Sequence, residues 1–207
     1  MKGTRRVTAC RGRRQPSTTE AATERSFGGR RVSPSERMVK KMAQRYFITN
    51  QGIRDTKKRY YIAYGSNLNV EQMRMRCPHA TVVGTATLEG WELLFKGSKT
   101  GSYLTIEECD GGTVPVAVWE VTEFDEAALD RYEGYPVFYY KKEIRLQVKG
   151  IRTGRRRMVT AFVYIMDETR PLGKPMERYV RVCREGYRTF GFDSDILTEA
   201  IRKSVTS

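Results

Sequence analysis

One histidine, His79, stands in a chain of 207 residues. That scarcity excludes Ser–His and Cys–His nucleophile pairs and every multi-histidine metal centre. Cysteine is nearly as sparse: Cys10, Cys77, Cys109 and Cys183 are widely spaced, with no C-x-x-C pair. Scattered thiols without a secretory signal point to a reducing, cytoplasmic compartment, and away from a disulfide framework or a zinc site. No apolar run approaches the roughly 20 residues that cross a membrane. Acidic residues are scarce at one end only. Residues 1–59 carry 17 Lys and Arg against 4 Asp and Glu, whereas the remainder carries 21 against 20. The formal charge of +14 therefore belongs to a tail. A nucleic-acid partner is not expected for the body and stays open for the tail. Chemistry in the body must use carboxylates, tyrosines and backbone groups, with neither cofactor nor metal.

Residues 1–36 are rich in Arg, Ser, Thr and Gly and show no hydrophobic periodicity, the composition of a disordered segment. Three accounts stay open: a start assigned too far upstream, since Met38 and Met42 lie just before the body; an Arg- and Ser-rich transit peptide; or a nucleic-acid-binding arm. Residues 42–48 are weakly amphipathic. The division expected is a basic extension over 1–58 and one folded domain over 59–207. With 39% hydrophobic and 11% aromatic residues, the chain can build a core of ordinary size.

Tyr60–Tyr64 is aromatic and β-branched, as a buried strand requires. It breaks at Gly65-Ser66-Asn67, and a helix follows over Val70–Arg76 with Asn67 or Asn69 as cap. Strand-like runs come next at Thr81–Leu88, Trp91–Phe95, Ser102–Ile106 and Thr113–Val121, separated by glycine-containing turns at 89–90, 97–101 and 110–112. Thr122 and Asp125 have capping-box spacing, and Gly134 stands where a helix ends. Phe138–Lys149 and Met158–Met166 read as a hairpin around a basic, solvated turn. Pro175 opens a helix that ends near Gly191, and Ser194 caps a last one. Five to seven mostly antiparallel strands with three or four helices make an α+β domain, either a curved sheet or a small barrel.

Two stretches could carry chemistry. The strand–turn–helix at Tyr64–Asn67 aims N–H donors and a positive helix end at one spot, suited to a carboxylate or an oxyanion. Its simpler reading is a tight connection whose Asn caps the helix. Ser66 lacks the G-x-S-x-G surround and a base, which argues against a nucleophile. In Leu129-Asp130-Arg131-Tyr132-Glu133-Gly134, a carboxylate faces the negative helix end, Asp130 sits three residues from Glu133, and Tyr132, Tyr135, Phe138 and Tyr139 surround it. Each of these raises a carboxylate pKa toward that of a general base. The competing reading is a solvated surface glutamate. Tyr139, Tyr140 and Tyr164 read as core or as pocket wall.

Together, Tyr64-Gly65-Ser66-Asn67-Leu68, Leu129-Asp130-x-Tyr132-Glu133-Gly134 and Tyr179…Gly186-Tyr187…Gly191-Phe192-Asp193 resemble the γ-glutamylcyclotransferase-like proteins. The likeness is to their small bacterial-type and γ-glutamylamine branch and covers roughly residues 59–203. It implies a small mixed, mostly antiparallel β-barrel flanked by helices, with one cavity holding the Tyr64–Asn67 turn and a catalytic glutamate at Glu133. The implied substrate-binding residues are Tyr64, Gly65, Ser66 and Asn67, with Tyr139 or Tyr140, and Tyr164. The implied reaction cyclises a γ-glutamyl amine or amino acid to 5-oxoproline and frees the amine, with no metal or cofactor. The expected assembly is a monomer or weak homodimer. A related enzyme deglutamylating a carrier-bound or antibiotic intermediate, and a non-catalytic binding protein on the same fold, stay open.

Overall fold

The computed structural model describes residues 57–98 and 101–205. The expectations for the basic extension, including the amphipathic lead-in, fall on residues outside that range. Five strands close a barrel in the order β1-β3-β2-β4-β5. β1 (Arg59–Ala63) lies between β3 (Gly101–Val121) and β5 (Arg156–Met166), antiparallel to the first and parallel to the second. Covered on both edges, it buries Tyr61, Ile62 and Ala63, as its unbroken apolar sequence requires. β2 (Thr81–Ser98) pairs with β3 along its length, and β4 (Tyr139–Gly150) with β5. β2 and β4 meet only at Gly84–Gly150 and Thr85–Lys149, which close the ring.

The four short runs expected between residues 81 and 121 are two long strands. The anticipated turn at Glu89-Gly90 is a bulge: Glu89 pairs with Thr113 and Trp91 with Glu108, so Gly90 stands opposite Cys109–Gly112. Gly90 and Gly111 take positive φ, 78° and 73°, which lets the ribbon bend sharply while pairing resumes on both sides. Glycine marks a bulge here as readily as a turn, and local sequence does not separate the two.

Among the described residues four helices flank the barrel: α1 (Val70–Arg76), α2 (Glu123–Glu133), α3 (Glu177–Phe190) and α4 (Ser194–Val205). Asn69, the second of the two anticipated caps, accepts from the Gln72 N–H. The Thr122–Asp125 capping box forms, and Gly134 ends α2 in the left-handed conformation. α3 starts at Glu177, two residues beyond Pro175, with no side-chain cap. At α4 the cap moves back by one: Asp193 Oδ1, rather than Ser194, accepts from the Asp195 N–H.

The packing that matters most for the site is α3 against the turn after β1. Val180, Cys183, Gly186 and Tyr187 make its buried face. A Cβ on Gly186 would lie 2.4 Å from Leu68 Cβ and 2.9 Å from Leu68 C, so helix and turn approach to a distance only glycine permits. Leu68 and Tyr187 are fully buried, and the Leu68 side chain is worth about 1.5–3 kcal/mol of transfer free energy. The buried thiols of Cys77 and Cys183 are free, their pKa values pushed up to about 12 chiefly by burial. No helix among the described residues is long and apolar enough to cross a membrane.

Candidate active site

β1 delivers Tyr64 and then a one-turn 3-10 helix, Ser66–Leu68, whose first bond runs from Leu68 N–H to Gly65 C=O. The N–H groups of Ser66 and Asn67 precede that bond and have no partner within the turn. α2 arrives from the other side and ends on Glu133. Asn67 joins the two: its Nδ2 donates to Glu133 Oε1 at 2.8 Å and to Tyr61 Oη at 2.8 Å. The opposite end of the same amide, Oδ1, accepts from Arg76 Nη1 at the end of α1. This sets the amide's orientation, because a flip would turn its oxygen toward a carboxylate and its NH2 toward a guanidinium. Arg76 is itself held by Gln72 Oε1 at 3.0 Å and lies 3.5 Å over the Tyr132 ring.

Glu133 sits where a small cavity of about 20 Å³, lined by Tyr61, Tyr64, Asn67, Tyr139 and Tyr164, adjoins a cleft of about 410 Å³. The inner space has room for about one water molecule, and the cleft is of small-molecule size. Enclosure of the carboxyl group raises its pKa from 4.5 to about 7. The Arg76 charge and the Asn67 hydrogen bond pull it back without cancelling that effect. The group is therefore poised between acid and base near neutrality.

The cause differs in part from the one the sequence suggested. Asp130 does not bear on Glu133: its carboxylate accepts from Tyr164 Oη at 2.5 Å and pairs with Lys141 Nζ at 2.7 Å. Burial raises the Glu133 pKa; repulsion from Asp130 does not. Of the other residues singled out, Tyr64 is buried and donates to the Tyr164 carbonyl at 2.6 Å. Ser66 Oγ lies 3.2 Å from Tyr132 Oη. Tyr139 is buried and donates to the Leu104 carbonyl at 2.9 Å. Tyr140, its neighbour on β4, points to the other face and bonds Glu168 Oε1 at 2.5 Å, away from the cavity. Strand alternation places one of the pair inside and the other outside.

Tyr61 and Arg76 also belong to the candidate site and were not singled out, and Tyr179, named in the third motif of the resemblance without a site role, lines it as well. Tyr61 had a signal, since it lies on the buried strand entering the turn. Tyr179 had its place in that motif and on the apolar face of α3. Nothing in the sequence marks Arg76, which acts through a fold of the chain bringing α1 back past Asn67. A larger groove of about 590 Å³ between β2 and β4 shares no residue with this cleft. No group of three or more His, Cys, Asp or Glu converges among the described residues.

Comparison with known proteins bears on the fold and the family. A solved structure named gamma-glutamyl cyclotransferase superposes with a TM-score of 0.59 at 24% identity, covering 70% of this chain and 86% of that one, a likeness of fold. The chain is 37% identical over 81 residues to a gamma-glutamylcyclotransferase of Bos taurus, covering 36% of this chain and 43% of that protein. To the Homo sapiens protein of the same name it is 30% identical over 140 residues, covering 63% and 71%. The chain thus spans less than half of the first relative's length and about seven tenths of the second's. A family model described as gamma-glutamyl cyclotransferase, AIG2-like, matches residues 61–182, from the strand before the turn to the third helix, and the chain belongs to that family.

Proposed function

We propose that the 59–207 body catalyses intramolecular cyclisation of a γ-glutamyl amide to 5-oxoproline, releasing the amine, with Glu133 as general base and then general acid. The observation that carries this reading is an enclosed glutamate with a pKa raised to about 7, held by an oriented Asn67 at the foot of an open cleft. Glu133 takes a proton from the substrate's α-ammonium, and the amine attacks the γ-carbonyl three carbons away in the same molecule. The N–H groups of Ser66 and Asn67 receive the oxyanion or the α-carboxylate. As the C–N bond breaks, protons shed by the attacking nitrogen pass through Glu133 to the leaving nitrogen. Nucleophile and electrophile share one chain, so the protein's main task is to hold it folded for ring closure. Tyr64, Tyr139 and Tyr164 supply walls for that purpose.

The test incubates the full chain with a panel of γ-glutamyl amines and γ-glutamyl amino acids and follows 5-oxoproline by mass spectrometry. Release by the wild type and not by Glu133→Gln is the expected result. Retained turnover in a folded Glu133→Gln protein sinks the general-base role. No release from any member turns attention to a carrier-bound substrate or to binding without catalysis.

A further inference from the structure

We infer that the groove between β2 and β4, which shares no residue with the Glu133 cleft, takes an extended acidic peptide as an added strand. The groove exists because these two strands close the barrel over a short stretch only. Ile151 N–H donates to Val83 C=O at 3.1 Å, and pairing continues through Gly84–Gly150 and Thr85–Lys149. It goes no further. Antiparallel alternation turns the main-chain groups of Gln147 and Arg145 toward β2, and those of Thr87 and Glu89 toward β4. These four residues are exposed and face a groove of about 590 Å³ in place of one another. Ladder groups left open on two facing edges are the template on which an extended chain adds.

The side chains decide what kind of chain fits. A strand added here shares the two faces of its neighbours, alternating at every residue. On the inner face, Leu88, Ile144 and Leu146, with Phe192, give the groove an apolar floor. On the outer face, Arg145, Lys149 and Arg156 rim it. Lys149 and Arg156 stand directly opposite each other in the β4–β5 ladder, a placement of like charges that costs stability and that an anion relieves. Arg145 and Lys149 form no ion pair among the described residues, and Arg156 meets the Gln147 amide oxygen at 3.2 Å. Glu89 is the one carboxylate among the described residues lining the groove, and Glu143, the next outward position on β4, is taken by Arg59 at 2.8 Å. The matching chain therefore alternates apolar side chains with Asp or Glu. Charge disfavours the other occupants. A second copy pairing β4 to β4 would set Arg145 and Lys149 against their own counterparts, and the basic extension carries the same sign. A nucleic acid would use the cations and leave the ladder groups and the apolar floor unmatched.

The experiment titrates the full chain into a fluorescent peptide of alternating Glu and Val and follows its anisotropy. One comparator replaces Glu with Lys. The other is the acidic peptide N-methylated at every second amide, which removes ladder donors and keeps the charge. The acidic peptide should bind about 10-fold or more tighter than the Lys peptide, the scale of one charge-assisted bond. N-methylation should weaken it by about 10-fold, the scale of one or two hydrogen bonds. Arg145→Glu/Lys149→Glu should reverse the preference between the Glu and Lys peptides. Both positions are exposed, so circular dichroism should show the fold retained. Amide exchange at Arg145 and Gln147 should slow when the acidic peptide binds. Equal binding of the Glu and Lys peptides overturns the charge match and the proposal with it. Undiminished binding of the N-methylated peptide shows a surface ion contact and overturns strand addition. Tighter binding of a single-stranded oligonucleotide of equal charge, or a dimer of the chain that the peptide dissociates, gives the groove to that occupant and overturns it as well.

Discussion

One helix carries two kinds of carboxylate. Glu126 and Asp130, on the flank of α2, are held by direct cations: Arg59 and Lys141 reach Glu126 at 2.6 Å, and Lys141 reaches Asp130 at 2.7 Å. Burial pulls the Lys141 pKa down, but its bonds to Asp130 and Glu126 outweigh it and leave the lysine above its ordinary value. Glu133, at the end of the same helix, is offered a neutral amide instead. The cation whose charge acts on it, Arg76, is spent on the far side of that amide. A carboxylate met directly by cations is held in an ion pair, whereas one met through an intermediary keeps most of its desolvation penalty, and its pKa rises. The difference lies in what meets each carboxylate across space, since all three share one helix.

Replacing Glu133 should separate the two roles most sharply. Glu133→Gln retains an acceptor for Asn67 and loses the proton site, so turnover should fall by about 10²- to 10⁴-fold. Stability should move the other way. The folded-state pKa of about 7 lies above the unfolded 4.5, so the folded protein binds the extra proton between those values and loses stability as pH rises through them. Glu133→Gln should thus be more stable than the wild type at pH 8, by at most about 3 kcal/mol, and no more stable at pH 4. Equal melting at pH 8 and pH 4 speaks against a raised pKa.

Removing the indirect cation should sharpen the comparison. In Arg76→Gln, Glu133 loses the charge that lowers its pKa, and the ascending limb of the kcat–pH profile should move above about 7. A limb that stays in place, with activity lost, assigns Arg76 to shape rather than electrostatics.

Gly186→Ala tests the scaffold that presents Asn67. The added Cβ meets Leu68, so the turn must shift, at a cost of about 1–3 kcal/mol read as a lower melting midpoint. Turnover measured well below the new midpoint should fall with it. Asp130→Asn should do least. Lys141 keeps Glu126, so stability should drop by about 1 kcal/mol or less and turnover should stay within about tenfold. A loss matching that of Glu133→Gln makes Asp130 part of the chemistry.

The sequence by itself determined what its local rules reach. The capping box at Thr122, the glycine ending α2, the strand before Tyr64 and the exclusion of histidine chemistry all follow from residue types and spacings a few positions apart. It also placed Glu133 and the Tyr64–Asn67 turn as the two informative stretches. Tertiary structure alone decided that Gly90 and Gly111 make a bulge instead of turns, and that Tyr139 faces the cavity while Tyr140 faces Glu168. It likewise sent Asp130 to Lys141, and brought Arg76 behind Asn67 and Gly186 against Leu68. The physical reason is common to these cases. Burial, electrostatic pairing and steric fit depend on distances between atoms that barrel closure brings together from 9 to more than 100 residues apart, and no local pattern records which of them will meet.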